Sequence, residues 1–315
     1  MTSPFILDCD AGIDDAMAIL LLLSEPGVDV VAITNTFGNV DVHQATANTL
    51  ALLELAGRCE VPVSTGAEHP LRGDFDGGAL FVHGSNGLGG VTLPPGSAAP
   101  TGEHAAQTIA RLARHHAGEL NLICTGPLTN VALALDAEPD LPRLIPHLTV
   151  MGGAAMVPGN VSPVAEANIG NDPEAAAAVF EAPWSITMVG LDVTMEHLFT
   201  DADRRRLLDA PGRTPRAIGA MLDTYFAFYE PILGFRGSAL HDPMATAIAT
   251  GALAPLLAPT VHVSVDTTDG PGRGQTIADL RGCYRGYPEQ AGAHCRVVLD
   301  VEPFAPLLLD RLLSL

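Results

Sequence analysis

Four aspartates, Asp8, Asp10, Asp14 and Asp15, stand within the first fifteen residues of the chain. The apolar run Phe5-Ile6-Leu7 leads into them, breaks at Ala11-Gly12 and feeds a second apolar run at 16–23. That order predicts a strand, a tight turn and a helix, with the acids gathered on the turn. Carboxylates this close repel one another unless something positive sits among them, and a divalent metal is the simplest candidate. Helix capping explains one or two acids at a helix start, because a carboxylate favours the positive helix end. It leaves Asp8 and Asp10 without a purpose. Asp10 and Asp15 are five apart across the junction and can reach one pocket, whereas Asp14 faces about 100° away from Asp15 around the helix axis. Two of the acids can hold a metal while the third addresses a substrate hydroxyl. There is no EF-hand loop and no clustered His/Cys set for zinc, so an oxygen-only site points to calcium or magnesium.

Three further segments carry polar chemistry. His241-Asp242-Pro243 opens a helix predicted over 244–250. Asp242 could be only a cap, but beside the first cluster it offers a third metal carboxylate and His241 an ionisable donor. The stretch 160–173 has no helical or strand period and holds Asn160, Glu166 and Asn168, groups of the kind that grip sugar hydroxyls. Asp172 should cap the helix after it, with Pro173 at the first position. His83 lies in the glycine-rich segment 82–90, which would suit a mobile lid over a site. Tyr225, Phe226, Tyr229 and Phe235 precede His241 and could stack on a ring; Tyr225 and Tyr229, four apart, share a helix face.

These residues need a scaffold. Strand candidates fall at 4–8, 28–34, 61–65, 120–125, 147–151, 185–193, 260–265 and 295–301, and amphipathic stretches lie between them at 42–56, 103–115, 128–135, 173–180 and 215–229. Apolar strands alternating with helices predict an α/β fold: a mainly parallel, Rossmann-like open sheet with helices on both faces. Several strands end in polar or glycine-rich turns, at 8–10, 35–39, 125–127 and 151–153. Those turns should line one rim, where open α/β sheets bind ligands. Segments 92–97 and 268–274 read as surface loops. The chain has 315 residues, with no linker or repeat, so a single domain over 1–315 is expected.

The formal net charge is −20, and all sixteen basic residues are arginine. Phosphate-neutralising nucleic-acid binding is therefore not expected. Five scattered cysteines without a CxxC pair suit reduced thiols in a cytoplasmic protein. Apolar runs reach about eight residues, short of the ~20 that span a bilayer, and no signal-peptide pattern opens the chain.

Taken together, the segments 8–15, Thr125-Gly126-Pro127-Leu128-Thr129-Asn130, Met151-Gly152-Gly153, 160–168 and His241-Asp242-Pro243 resemble the inosine–uridine-preferring nucleoside hydrolase family, in the same order from residue 5 to about 250. The resemblance implies hydrolysis of the N-glycosidic bond of ribonucleosides with bound Ca2+. It implies that Asp10, Asp15, the backbone carbonyl of Thr125 and Asp242 hold the calcium, with ribose hydroxyls and the attacking water completing its shell. Asp10 would double as general base. Asp14 and Asn168 would grip ribose hydroxyls, Asn160 and Glu166 the 5′-hydroxyl end, and Asn39 and Met151 would line the sugar pocket. His241 would assist departure of the base, and His83 and Tyr229, read from their own settings rather than from the resemblance, would face the substrate. A dimer or tetramer is expected from the same resemblance. The family commonly has proline where this chain has Ala11, which predicts a slightly looser turn. Two rival readings are weighed against it. In a haloacid-dehalogenase-type phosphatase Asp8 would be the nucleophile, though phosphoryl transfer leans on positive groups scarce here; a non-catalytic nucleoside or ribose binder would have had no reason to keep all the acids.

Overall fold

The structure, a computed structural model, describes residues 2–315. Its centre is an eight-stranded sheet. β1 (Ser3–Cys9), β2 (Val28–Asn35), β3 (Val63–Thr65), β4 (Asn121–Cys124), β5 (His147–Met151) and β6 (Ile186–Val189) are followed at the far edge by the short strands Cys295–Val297 and Thr260–Val261. The spatial order runs β3-β2-β1-β4-β5-β6 and then the two late strands. Every neighbouring pair is parallel except the last, Thr260–Val261 on Cys295–Val297. Parallel strands buried on both faces need apolar side chains in both directions, and β1 supplies them. Phe5, Leu7 and Cys9 enter one core with the helix α1 (Ile13–Ser24), while Ile6 enters the other with the helices Ala105–His115 and Thr129–Ala137.

Chain order reverses between β1 and β4, so the crevice at their carboxyl ends is the topological switch point of the sheet. The Asp10 turn leaves β1 there, and Thr125 follows β4. α1 begins at this place because Gly12 is its N-cap residue and Asp15, three residues on, accepts the Gly12 N–H at 2.7 Å. Gly12 has no room for a side chain, since a Cβ there would lie 2.5 Å from Asn39 Nδ2 and 2.7 Å from His83 Nδ1.

Three expected strands are shorter or divided. The 185–193 run stops at Val189, because Gly190 starts the short helix Leu191–Thr194. The 260–265 run splits: Thr260–Val261 joins the main sheet and Val263–Val265 pairs with Thr276–Ala278. The 295–301 run splits likewise, with Asp300–Val301 pairing Pro255–Leu257. The helix expected over 244–250 begins earlier, at Asp242, with His241 as its N-cap residue, and the 215–229 helix extends over Arg213–Leu233. All five cysteines are free, and no helix of the described residues is long and apolar enough to cross a membrane.

Candidate active site

A cavity of about 530 Å³ opens over the switch point, a size typical of small-molecule sites. Asp14, Asn39, His83, Thr125, Met151, Asn160, Glu166, Asn168, Tyr229, His241 and Asp242 all line it. Asp10 and Asp15 lie beneath this lining, both buried. The sequence-derived set is therefore brought to one place by eight separate chain segments.

One oxygen each from Asp14, Asp15 and Asp242 lies within 4.8 Å of the others. Asp10 joins them through Asn39, whose Nδ2 donates to Asp10 Oδ1 at 2.9 Å and to Asp15 Oδ2 at 3.2 Å, while its backbone N–H donates to Asp10 Oδ2 at 2.9 Å. Thr125 Oγ1 donates to Asp15 Oδ1 at 2.8 Å. Burial raises the pKa of Asp10 well above the carboxylate range, and the Asp15 charge adds to it. Burial, then the Asp14 charge, pushes Asp15 up to about 6 and raises Asp242 well above its ordinary value. No arginine of the described residues lines the cavity or pairs with these four acids, and Asp14 Oδ1 is buried without a hydrogen-bond partner. This donor set could hold a divalent metal ion: hard, anionic, crowded oxygens lacking a protein cation. Asp14, expected to turn from Asp15 toward the sugar, both lines the cavity and belongs to the close trio.

Asn168 Nδ2 donates to the backbone carbonyls of Thr125 and Met151, each at 3.0 Å, which leaves its Oδ1 to accept a hydroxyl. Glu166 caps the helix Ala167–Asn171 and accepts backbone N–H bonds from Gly153, Asn168 and Ile169. Asn160, on the cavity lining, accepts from Ala167 N through Oδ1, which leaves its amide N–H₂ as a donor. As expected, Asp172 Oδ1 caps the helix Pro173–Glu181 through Ala175 N at 3.0 Å.

The two histidines differ in kind. Ile13 N–H donates to His83 Nδ1 at 3.1 Å, so that nitrogen keeps its lone pair and the ring proton sits on Nε2. The 3.9 Å approach of His83 Nδ1 to Asp14 is therefore not an ion pair, and burial lowers the His83 pKa accordingly. His241 has both ring nitrogens engaged by hydroxyls, Nε2 at 2.6 Å from Tyr229 and Nδ1 at 2.8 Å from Thr194. Tyr225 OH donates to Asp14 Oδ2 at 2.9 Å, and the Tyr225 and Tyr229 rings meet edge to face at 5.1 Å. Phe226 and Phe235 do not line the cavity: Phe226 is fully buried in the core, and Phe235 is solvent-exposed past the helix end. Phe228 and Phe81 line the mouth instead, edge to face at 5.8 Å.

Asp8 belongs below the site. Its Oδ1 accepts from Thr34 Oγ1 at 2.6 Å and Asn130 Nδ2 at 2.8 Å, and burial pushes its pKa up to about 7. Asp8 is tied to Thr34 and Asn130, neither of which lines the cavity, whereas Asp10 is tied to the cavity-lining Asn39, so Asp8 is not placed as the nucleophile that the phosphatase reading requires. Thr34, Thr194 and Phe81 had no distinguishing pattern in the sequence, whereas Asn130 stood in the 125–130 motif without a role.

The turn itself departs from expectation. Ala11 has φ +43°, in the left-handed region, so the turn is strained rather than looser, and a proline, locked near −65°, could not adopt it. Ala11→Gly should raise stability by about 0.5–1 kcal/mol, because the steric cost at positive φ exceeds the entropy glycine adds to the unfolded chain. Ala11→Pro should lower it; comparing the melting temperatures of the two variants with the parent checks both signs.

The family model described as inosine-uridine preferring nucleoside hydrolase matches residues 5–305. The chain belongs to that family. This nucleoside hydrolase is 38% identical over 315 residues to the pyrimidine-specific ribonucleoside hydrolase RihA of Salmonella paratyphi B, covering 99% of both chains. It is 36% identical over 314 residues to probable uridine nucleosidase 2 of Arabidopsis thaliana, covering 98% of this chain and 97% of the relative. Among solved structures, a plant nucleoside hydrolase, the PpNRh1 enzyme, superposes with a TM-score of 0.93 at 33% identity, covering 100% of each chain. The purine-preferring ribonucleoside hydrolase from Gardnerella vaginalis does so with 0.89 at 33% identity, covering 99% and 97%. The nucleoside hydrolase is thus an enzyme that hydrolyses N-glycosyl bonds, and a nucleoside is the substrate its family acts on.

Proposed function

We propose that this nucleoside hydrolase cleaves ribonucleosides to free base and ribose with the help of calcium held by Asp10, Asp15, Asp242 and the Thr125 carbonyl. The observation that carries the reading is the convergence of four buried carboxylates on the switch point with no protein cation among them. When bound, the ion offsets those charges and eases loss of a proton from water. Asp10, held on both oxygens by Asn39, takes the proton of the attacking water as general base. Asp14 and Asn168 accept hydrogen bonds from the ribose hydroxyls over the floor formed by Met151, and Glu166 and Asn160 meet the 5′-hydroxyl. As the glycosidic bond lengthens, positive charge grows on the sugar and the surrounding carboxylates stabilise it. Negative charge grows on the base, which the His241–Tyr229 pair and the Nε2–H of His83 receive. The free cysteines fit a reducing, cytoplasmic setting.

The test is release of reducing sugar from a panel of nucleosides, with and without a chelator. Uridine comes first, because relatives at 36% and 38% identity carry uridine and pyrimidine in their names. Turnover that survives complete chelation would remove the metal from the reading. On the same panel His241→Ala should lower uridine hydrolysis roughly 10²–10⁴-fold, the range of a lost acid–base group, and spare a riboside with a good leaving group. Equal losses on both would end the leaving-group role.

A further inference from the structure

We propose that the hairpin of strands Val263–Val265 and Thr276–Ala278 is a positioning element for the substrate's 5′-hydroxyl, acting through Thr276 on the loop that carries Glu166. The proposal rests on the reading that Glu166 and Asn160 meet that hydroxyl.

The contact is built on both limbs of the loop. Thr276 is 2% exposed, and its Oγ1 accepts from Ala154 N and donates to Ala154 O, each at 2.9 Å. The neighbouring Gly153 has φ +85°, and a Cβ there would sit 2.9 Å from both branches of the Thr276 side chain. Gly153 N–H in turn donates to Glu166 Oε2 at 2.9 Å. A single residue thus separates the atom Thr276 anchors from the atom that orients the carboxylate. On the other limb Gln275 pairs antiparallel with Ala165, directly before Glu166. Gly274 is buried, and a Cβ on it would come within 3.0 Å of Ala165 Cβ and 3.1 Å of Gly170 Cα. Arg273 completes the seat with a two-pronged bond to Glu174, at 2.9 and 2.8 Å, on the helix that follows the loop. Segment 268–274, expected to be a plain surface loop, is the tip of this support.

Removing the Thr276 hydroxyl leaves a buried backbone N–H and C=O without partners, and the limb must shift to satisfy them. A small displacement of Glu166 then weakens a hydrogen bond whose worth depends on alignment. The effect belongs to the 5′-hydroxyl alone, which separates positioning from general damage.

The measurement is kcat/KM on uridine and on 5′-deoxyuridine, with calcium present. In the parent enzyme the hydroxyl should be worth roughly 10- to 100-fold, as for a hydrogen bond to a charged group. Thr276→Val should cut that ratio about tenfold, mainly through loss on uridine, and Thr276→Ser, which keeps both bonds, should restore it. Arg273→Gln, at a half-exposed site that spares the core, should lower the ratio in the same direction by a smaller factor. It decides the matter if Thr276→Val does not fold. An unchanged ratio in the hairpin variants, beside a collapsed one in Glu166→Gln, would overturn the support role. An unchanged ratio in Glu166→Gln would overturn the 5′-hydroxyl reading, and the proposal with it.

Discussion

Asp10→Asn should lower turnover of uridine by roughly 10²–10⁴-fold, the range for removal of a general base, and weaken calcium binding in the same protein. Asparagine preserves size but removes the charge and the basic lone pair. The fold should tolerate it. Asn39 presents two donors to Asp10, one to each oxygen, so an amide at position 10 must turn its own N–H₂ toward one of them. That lost hydrogen bond costs about 1 kcal/mol. Against it stands relief of repulsion with Asp15 and Asp14, the charges that help raise the Asp10 pKa. In metal-free protein the two effects oppose, and the melting temperature should move by only a few degrees. Kinetics with uridine, calorimetric titration of calcium and thermal melts give the three numbers. Retained activity in this variant would defeat both roles given to Asp10, while a large drop in stability would make the loss of activity uninformative.

The contrast between Asp10 and Asp8 shows where the sequence stopped being legible. Both end the same apolar strand, and residue type alone cannot tell them apart. The strand end decides: Asp8, still within β1, is held by its neighbours Thr34 and Asn130, while Asp10, past the strand end, reaches Asn39 and, through it, Asp15. The central strands were readable because burial on both faces demands unbroken apolar runs. The late strands were not, since runs such as 260–265 are partly exposed and their division follows from which neighbour each half meets. The shared helix face of Tyr225 and Tyr229 was legible from their spacing, whereas Phe81 had no period to announce it in a four-residue helix. Thr276 was the least legible of all. One threonine in a short strand looks ordinary until Ala154, 122 positions earlier, is beside it.

The same clustering of acids that allows the chemistry should make the enzyme depend on its metal for stability. With calcium present at about a hundred times its dissociation constant, binding to the folded state alone contributes about 2.7 kcal/mol, several degrees in melting temperature for a chain of this size. A chelator should remove that increment together with turnover. What remains should depend on pH in a particular direction. Asp15 and Asp8 have folded-state pKa values raised from 3.8 to about 6 and about 7, mainly by burial. Between the unfolded and folded values the native state holds more protons than the unfolded chain, so stability declines as pH rises. The contribution is complete below about pH 4 and gone above about pH 7. Metal-free protein should therefore melt at a lower temperature at pH 7.5 than at pH 5.5. Calcium-loaded protein should show a flatter profile, because a bound cation favours the ionised carboxylates. Melting curves across this window, with calcium and with chelator, test both halves. Parallel profiles in the two conditions would mean that the ion does not sit among these acids, even if the enzyme needs it elsewhere.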